Sequence, residues 1–282
     1  MANNPGDLYI VATPIGNLGD MVPRGVEVLK GVDCIAAEDT RHSARLLSHF
    51  DIKTPMVAHH DYSNDHEVMR ILDLLQGGKS VALISDAGTP LISDPGYRLV
   101  RAARNAGVKV VPIPGCCAAI AALSASGMAT DRFAFEGFLP VKEGARQSAL
   151  KSLAAETRTL VFYEAPHRIL RTLEDMVEAF GSGRQGVLAR ELTKTFETFL
   201  AGSLADLVEL VGSDENQQRG EIVLIVEGAD RAELTEGEEE QRRVLAILIE
   251  ELSIKQAAAL AAKLTGGNKK QLYQMAVAMK NS

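Results

Sequence analysis

The sequence predicts a two-domain α/β protein in which a mostly parallel sheet is followed by a mixed sheet and a small helical tail. Residues 8–126 alternate short apolar strands with amphipathic helices, a pattern typical of a parallel sheet covered on both faces. Residues 133–227 place several strands next to one another, which indicates a mixed α+β domain. We therefore predict domains at 1–127 and 128–230, with a linker and helical tail at 231–282.

In the first half, each predicted strand is an apolar run that ends at polar or turn-forming residues. Pro23 suits the first turn of a helix, where the missing N–H is not needed, and Thr40 or Asp39 can cap the helix after the second strand. The predicted strands are 8–12, 33–37, 56–59, 81–84 and 108–113. The predicted helices begin at Pro23 and cover 41–50, 64–76, 97–106 and 116–126.

In the second half, a strand of alternating apolar residues follows a break at 127–132. Strands are predicted at 133–139, 159–163, 186–190, 195–202 and 221–227, and helices at 146–155, from 169 to 180 and at 204–211. The acidic stretch 230–240 is typical of a solvated linker, and helices are predicted at 241–252, 255–264 and 269–280. A solvated helix face explains the basic tail as well as a partner surface does; its lysines are Lys255, Lys263, Lys269, Lys270 and Lys280.

Composition excludes several classes of protein. The hydrophobic content is 46%, the charged content is 24% and the net charge is -7, all ordinary values for a globular protein. No apolar run approaches the roughly 18 residues that cross a bilayer. The three cysteines are an odd number, Cys116 and Cys117 are adjacent, and no zinc-type spacing occurs. These features argue against a disulfide framework and predict a cytoplasmic protein without a metal site.

The stretch 80–96 is the strongest candidate for a ligand site. A buried strand runs into a loop that carries Asp86, Gly88 and Asp94, and a helix follows. Ligands of open α/β sheets sit beyond the carboxyl ends of such strands, although the loop could be only a tight turn. Other strands also end in polar clusters, which predicts a cleft between the two domains: 13–17, 38–41, 59–61, 114–115, 164–168 and 190–194.

The loops lack the motifs of ATP hydrolysis, dinucleotide binding, serine hydrolysis and zinc proteolysis. Acids and backbone amides with few fixed cations suit a ligand that has a ribose and a positive centre, and S-adenosylmethionine (SAM) fits this description. The small residues at 116–126 either let a ligand approach the backbone or allow close helix–sheet packing.

An ordered set of motifs extends over nearly all of residues 8–228. They are TPIGNLGD (13–20), AEDTR (37–41), SDAGTPLISDPG (85–96), IPGCCAAIAALSASG (113–127), FEGFLP (135–140), FYEAPHR (162–168) and ARELTK (189–194). This set resembles the tetrapyrrole methylase superfamily, and it is most similar to the branch of bacterial 16S ribosomal RNA (cytidine-2'-O)-methyltransferases. The loop at 86–96 departs from the porphyrin branch, whose corresponding run is shorter, and this departure favours the RNA branch.

The resemblance implies a homodimer with SAM in the cleft between two α/β domains. It also implies methyl transfer to the ribose 2'-hydroxyl of a cytidine in the decoding region of the small-subunit RNA. The SAM contacts it implies are Pro14, Ser85, Asp86, Gly88, Thr89, Pro90, Gly115, Cys117, Ala118, Tyr163, Glu164, Leu192 and Thr193.

A ribose hydroxyl must lose its proton as the methyl group arrives, so the reaction needs a positioned base. We predict a constellation of Glu38, Asp39, Arg41 and His60 that faces the RNA, with His59 and Glu164 as further candidates. Asp39 is equally suited to capping a helix, Glu38 to pairing with Arg41, and a lone histidine to the core. Lys194 can stabilise a developing alkoxide.

Basic side chains near the predicted cleft can neutralise RNA phosphates, although they are also common on soluble surfaces. They are Arg24, Arg41, Arg45, Arg168, Arg190 and Lys194, and the aromatic residues available for base stacking are Tyr62, Tyr97 and Phe138. Two other functions stay open at this point. One is a SAM-dependent methyltransferase of a tetrapyrrole or another small molecule, and the other is a non-enzymatic factor that binds SAM or RNA during ribosome assembly.

Overall fold

The computed structural model describes residues 5–59 and 65–280, and its core is built from two five-stranded sheets. The strands of the first sheet are β1 (Leu8–Val11), β2 (Cys34–Ala37), β3 (Met56–Ala58), β4 (Val81–Ile84) and β5 (Val110–Ile113). They lie in the order β3-β2-β4-β1-β5, and each neighbouring pair is parallel. The predicted parallel sheet is confirmed, and the carboxyl ends of its strands meet at one edge.

Helices cover both faces of this sheet. They are α1 (Pro23–Gly31), α2 (Thr40–His49), α3 (Asp65–Gln76) and α4 (Tyr97–Asn105), and the next helix in the chain is α5 (Ala118–Ala125). One face packs its apolar side chains with α3 and α4, for example through Ile71 and Leu99, and the other packs with α1 and α2 through Leu29 and Leu47. β2 and β4, inside the sheet, are apolar along their whole length because both of their faces are buried.

The second sheet is mixed, as predicted. Its strands are β6 (Phe133–Phe138), β7 (Thr159–Glu164), β8 (Gln185–Arg190), β9 (Thr198–Ser203) and β10 (Ile222–Val226), in the order β6-β7-β10-β8-β9. β6 and β7 are parallel, and the other neighbours are antiparallel. The helices of this half are α6 (Glu143–Leu153), α7 (Ile169–Phe180) and α8 (Leu204–Ser213), which cover one face.

Helix α5 covers the other face of the second sheet, although it follows β5 of the first. Ala119, Ala122 and Leu123 pack in one apolar cluster with Val161 of β7 and Val223 of β10. Because alanine side chains are short, the helix lies close to the strands. The small residues of 116–126 therefore serve packing at these positions, and the predicted boundary at residue 127 falls after a helix that belongs to both halves.

The tail consists of three helices, α9 (Arg231–Glu251), α10 (Ile254–Thr265) and α11 (Lys269–Lys280), with a core of their own around Leu245, Ala258 and Leu272. The predicted acidic linker at 230–240 is corrected here: the helix begins at Arg231, so most of that stretch is helical. Acidic residues are good helix formers, and charge alone does not distinguish a solvated helix from a coil. Within the described ranges, no helix has the length and apolarity needed to span a membrane.

A buried ion pair joins helices α6 and α7 of the second half, and its contribution to stability can be tested directly. Arg146 of α6 donates from Nε to Asp175 of α7 over 2.6 Å, and Gln147 donates to the other carboxylate oxygen over 2.9 Å. Arg146→Met would leave a buried carboxylate without its cation, so we expect a loss of about 3–5 kcal/mol in the free energy of unfolding. Urea titration followed by circular dichroism measures it.

The control is Lys151→Met, which breaks the Lys151–Glu178 pair between the same two helices. Both of those side chains are about 60% exposed, so the loss should stay below about 1 kcal/mol. Equal losses in the two variants would contradict the assignment of the Arg146 pair as a structural contact.

Candidate functional site

A cavity of about 360 Å³ lies between the two sheets; we call it the inter-sheet cavity. The first half lines it with Ile15, Ala87, Gly88, Thr89, Ile92, Ser93, Asp94, Cys117 and Ala118. The second half lines it with Phe138, Tyr163, Glu164, Ala165, Leu192, Glu221, Ile222 and Val223. Apolar walls with a few polar groups are typical of a site for a small organic ligand, and the volume lies within the usual range of about 300–1,000 Å³.

Hydrogen bonds between loops hold the first wall of this cavity. Thr13 and Gly88 form an isolated antiparallel bridge, with N–O distances of 2.8 and 3.0 Å. Thr89 Oγ1 donates to the carbonyl of Cys116 over 2.8 Å. Gly88 has a φ of +84°, a region that a residue with a side chain adopts only under strain. The loops after β1, β4 and β5 are therefore joined into one rigid wall.

Tyr163 organises the second wall. Its hydroxyl accepts the N–H of Ala119 at the start of α5 over 3.2 Å, and its ring makes edge contacts with Phe135 and Phe138. Burial, and secondarily the neighbouring Cys117, raises the pKa of Tyr163 above its usual range, so the hydroxyl stays neutral. Tyr163 thus links α5 to β7 at the cavity.

A second cavity of about 460 Å³ adjoins the first; we call it the side cavity. Its lining is more polar and consists of Thr13, Pro14, Ile15, Gly16, Leu18, His42, Ser43, Arg45, Leu46, Ser85, Asp86, Ala87, Lys194 and Glu221. Ile15, Ala87 and Glu221 line both cavities. A ligand in one cavity therefore lies across a shared wall from a ligand in the other.

Lys194 is fixed beside this shared wall. Its Nζ donates to Glu191 over 2.7 Å and to Glu221 over 3.2 Å. Burial alone would lower the pKa of Lys194, but its hydrogen bonds and attraction to the two carboxylates outweigh burial and raise that pKa, so the ammonium stays charged. Glu191 and Thr193 have φ values of +53° and +65°, which marks this loop as strained.

Ser43 presents an unusual hydroxyl to the side cavity. The residue is 3% exposed, and its Oγ has no hydrogen-bond partner among the described residues. A buried hydroxyl without a partner costs free energy, because it has lost its hydrogen bonds to water. A polar group on a ligand in the side cavity would remove that cost.

The predicted acidic constellation lies at the ends of β2 and β4. Asp39 caps α2, accepting the N–H groups of Arg41 and His42 over 2.8 and 3.4 Å, and it forms an ion pair with Arg41 at 3.3 Å. The hydrogen bonds from Arg41 lower the pKa of Asp39. Asp86 accepts the N–H of Asp39 over 3.1 Å, which confirms that these strand ends meet.

These contacts give Asp39 a structural role that sequence analysis considered as an alternative. Neither Glu38 nor Asp39 lines either cavity. His60 and Tyr62 lie outside the described residues. Glu164, a further candidate base, is buried and already accepts hydrogen bonds from Ala165 N and Thr172 Oγ1 over 2.7 and 2.6 Å.

The structure brings most of the predicted SAM contacts to the two cavities. Gly88, Thr89, Cys117, Ala118, Tyr163, Glu164 and Leu192 line the inter-sheet cavity. Pro14, Ser85 and Asp86 line the side cavity instead. Pro90, Gly115 and Thr193 line neither, although a Cβ on Gly115 would come within 2.9 Å of Ala12 Cβ, so this position needs glycine for packing.

The predicted RNA-binding cations divide into two groups. Arg45 and Lys194 line the side cavity, and Arg24 is exposed on the first turn of α1. Arg168 and Arg190 are corrected to structural residues. Arg168 donates to the carbonyls of Leu139 and Pro140 over 2.8 and 3.1 Å and pairs with Glu164 at 3.3 Å.

Arg190 is 7% exposed and has a similar structural role. Its guanidinium donates to Thr198 Oγ1 over 3.1 Å, to Gln217 Oε1 over 3.2 Å and to the carbonyl of Phe196 over 3.0 Å. A guanidinium that is enclosed in this way is not available to a phosphate.

Sequence reasoning missed Glu221, Ser43 and His42 as site residues. Glu221 lies immediately before β10, and only the antiparallel pairing of β10 with β8 brings it to the loop that carries Lys194. Ser43 and His42 lie on the helix after the motif AEDTR, and a helical position by itself does not reveal which face lines a cavity.

Two family models match the chain. Residues 7–208 match the family described as Tetrapyrrole (Corrin/Porphyrin) Methylases, and residues 235–280 match the one described as RsmI C-terminal HTH domain. The chain is 56% identical over 276 residues to a ribosomal RNA small subunit methyltransferase I from Pseudomonas aeruginosa, covering 96% of this chain and 97% of the relative. Its identity to the protein of that name from Escherichia coli O157:H7 is 53% over 275 residues, covering 98% and 96%.

Solved structures of low identity share the fold. A cobalt precorrin-4 methyltransferase superposes with a TM-score of 0.59 at 18% identity, covering 78% of this chain and 94% of that one. A diphthine synthase superposes with a TM-score of 0.59 at 15% identity, covering 78% and 89%. At these identities the likeness shows the arrangement of the two sheets and no more.

Proposed function

The chain belongs to the tetrapyrrole methylase family and, within it, to the ribosomal RNA small subunit methyltransferase I group, and from this premise we propose its reaction. It transfers the methyl group of SAM to the ribose 2'-hydroxyl of a cytidine in the decoding region of the small-subunit ribosomal RNA. The observation that carries this proposal is the pair of adjoining cavities, of which the side cavity has more charged and polar side chains, with Glu221 in both linings and Lys194 bonded to it.

The residues of the inter-sheet cavity fit SAM. Ile15, Leu192 and Val223 offer apolar surface to an adenine ring, and Asp94 offers a negative charge to a cationic ligand. The first turn of α5 begins at the cavity without a side-chain cap, and such a helix end favours a carboxylate. Gly88 lets the backbone approach the ligand closely.

The side cavity suits the acceptor nucleotide. Arg45 and Lys194 offer positive charge to a phosphate or an alkoxide, and the unpartnered Ser43 hydroxyl offers a hydrogen bond to a base or a sugar. RNA bases are commonly read when they leave the stack and enter a pocket. A nucleotide in the side cavity would lie next to the methyl donor, at the place where the two cavities adjoin.

Bound SAM supplies a methyl group on a sulfonium, and that carbon–sulfur bond breaks as the new bond to the ribose oxygen forms. The chain must align the hydroxyl and remove its proton. Lys194, held as an ammonium, stabilises the negative charge that grows on the oxygen. Glu221 is the carboxylate that borders both cavities, and we assign it as the acceptor of the proton.

The constellation of Glu38, Asp39, Arg41 and His60 stays a prediction as an RNA-facing edge. Its described members lie beside Asp86 at the rim of the side cavity, where the exposed Arg41 guanidinium can meet a phosphate. The homodimer and the cytoplasmic location also stay predictions.

The alternative substrates receive less support. The relatives that cover nearly the whole chain are named for ribosomal RNA, whereas the relative named for a precorrin shares only the fold at 18% identity. The non-enzymatic alternative does not explain why a charged Lys194, which lines the cavity that fits an acceptor, is bonded to Glu221, which lines both that cavity and the one that fits a donor.

The reaction is tested by its product. Small ribosomal subunits that lack the modification are incubated with the pure protein and with SAM labelled on its methyl group, and the RNA is digested to nucleosides. We expect labelled 2'-O-methylcytidine by mass spectrometry, and no transfer to tetrapyrrole precursors under the same conditions. A label on a base or on a tetrapyrrole would contradict the proposal, as would one label per enzyme without turnover.

Lys194→Met tests the charge at the shared wall. We expect kcat to fall about 100-fold, because the group that stabilises the alkoxide is removed, whereas the Kd for SAM stays within about twofold. Single-turnover kinetics and calorimetry measure the two quantities. Lys53→Met is the control, since Lys53 is 86% exposed and pairs with Asp51. An unchanged kcat in Lys194→Met would remove Lys194 from the mechanism.

Ser43→Ala tests the side cavity as the acceptor site. Loss of one hydrogen bond predicts a roughly threefold to tenfold fall in kcat/KM for the RNA, with SAM binding unchanged. Because the hydroxyl has no partner in the free protein, the substitution should not lower stability. Ser48→Ala, on the exposed face of the same helix, is the matched control. Weaker SAM binding in Ser43→Ala would place the donor, not the acceptor, in the side cavity.

A further inference from the structure

The last two helices form a basic unit in an acidic protein. Residues 253–280 contain five lysines and no aspartate or glutamate, in a chain whose net charge is -7. All five side chains are exposed: Lys255, Lys263, Lys269, Lys270 and Lys280. Since no carboxylate of this segment neutralises them, they produce a local positive field that the composition of the whole chain conceals.

Packing does not require these lysines. The core of the tail consists of Leu245 of α9, Ala257, Ala258 and Ala261 of α10, and Leu272 and Ala276 of α11. Helix α10 ends at Gly266, whose φ of +70° gives a left-handed cap, and a short turn leads directly into α11. The lysines project from the outside of this helix–turn–helix, where neutral polar residues would serve the fold equally well.

Two of the lysines lie where a helix disfavours positive charge. Lys269 and Lys270 are the first two residues of α11, and Asn268 caps the helix by accepting the N–H of Lys270 over 2.9 Å. The positive end of the helix dipole repels cations there. A bound anion would offset this repulsion, because it would interact favourably with both ammonium groups and with the helix end.

The exposed side of α11 adds groups that recognise RNA. Lys270, Tyr273 and Gln274 follow helical spacing and share one side of the helix. Tyr273 is 45% exposed, although an aromatic ring gains by burial, and Gln274 is exposed. A cation for phosphate, a ring for stacking and an amide for hydrogen bonding together fit single-stranded or looped RNA.

We propose that the lysine face, defined as Lys269, Lys270, Tyr273 and Gln274, is a second RNA-binding surface that grips the substrate RNA outside the cleft. This proposal rests on the proposed function for its choice of RNA. Binding at this surface increases the affinity for the ribosomal particle and takes no part in methyl transfer. An acidic protein or an anionic membrane would meet the same charge, so binding to either one in place of RNA is a separate outcome of the test below.

The test uses the full chain with Lys269→Glu and Lys270→Glu together. We expect KM for small ribosomal subunits to rise about tenfold or more, while kcat at saturating substrate and the Kd for SAM stay unchanged. The slope of the logarithm of the RNA-binding constant against the logarithm of the salt concentration should become shallower by roughly 1 to 2, because one to two fewer phosphates are neutralised. Tyr273→Ala should raise KM without changing the salt dependence.

The matched control is Lys30→Glu with Lys79→Glu, which changes the net charge equally. Both of these lysines are exposed near the amino-terminal edge of the first sheet, at the end of α1 and just before β4. An equal rise of KM in the control would show a general effect of charge and overturn the proposal. Unchanged RNA binding in the double variant of α11 would also overturn it.

Direct binding separates this proposal from the proposed function. Fluorescence anisotropy with labelled small-subunit RNA measures the affinity of the protein for RNA. This affinity reports on the lysine face even if the wild-type protein transfers no methyl group. Loss of binding in the α11 variant, with an unchanged circular dichroism spectrum, would support the surface in that case too. If the variant instead lost only its binding to vesicles of anionic lipid or to an acidic polypeptide, the choice of RNA would be wrong.

Discussion

The packing of α5 against the second sheet is the contact on which the site depends. The helix is joined to β5 of the first sheet, yet Ala119, Ala122 and Leu123 lie in the core beneath β7 and β10. This apolar contact fixes the distance between the sheets, and the Tyr163 hydroxyl bound to Ala119 N fixes its position at the cavity. Without it, the carboxyl edge of the first sheet would have no second wall, and the two cavities would open into solvent.

One hydrogen-bonded group of charged side chains lies where the two cavities adjoin. The inter-sheet cavity is mostly apolar, whereas Lys194, Glu191 and Glu221 form a hydrogen-bonded group where it meets the side cavity. Their mutual attraction keeps the lysine charged and lowers the pKa of Glu191 although burial alone would raise it. A group that already holds its charges needs little reorganisation when charge develops on a substrate, which is the condition for electrostatic catalysis.

Periodicity predicted nearly every strand and helix, because apolar runs and amphipathic stripes record burial directly. It also predicted that the ends of β2 and β4 meet, which the Asp39–Asp86 hydrogen bond confirms. It failed where burial depends on distant partners. Arg168 and Arg190 resemble surface cations in the sequence, and only the fold surrounds them with carbonyl groups. Glu221 and Ser43 were not predicted as site residues, because a position next to a strand or on a helix face gives no local sign that it lines a cavity.

The tail lysines line neither cavity, and this has a physical consequence for substrate choice. A cleft lined by many free cations would attract any polyanion, yet the structure encloses two of the predicted arginines and pairs Lys194 with carboxylates. Affinity for phosphate can then reside on the lysine face, outside the lining of the cavities, while the cleft keeps the shape and hydrogen bonds that distinguish one nucleotide from another. Because phosphate contacts carry no sequence information and base contacts do, this division would let the chain hold a large RNA firmly without methylating it indiscriminately.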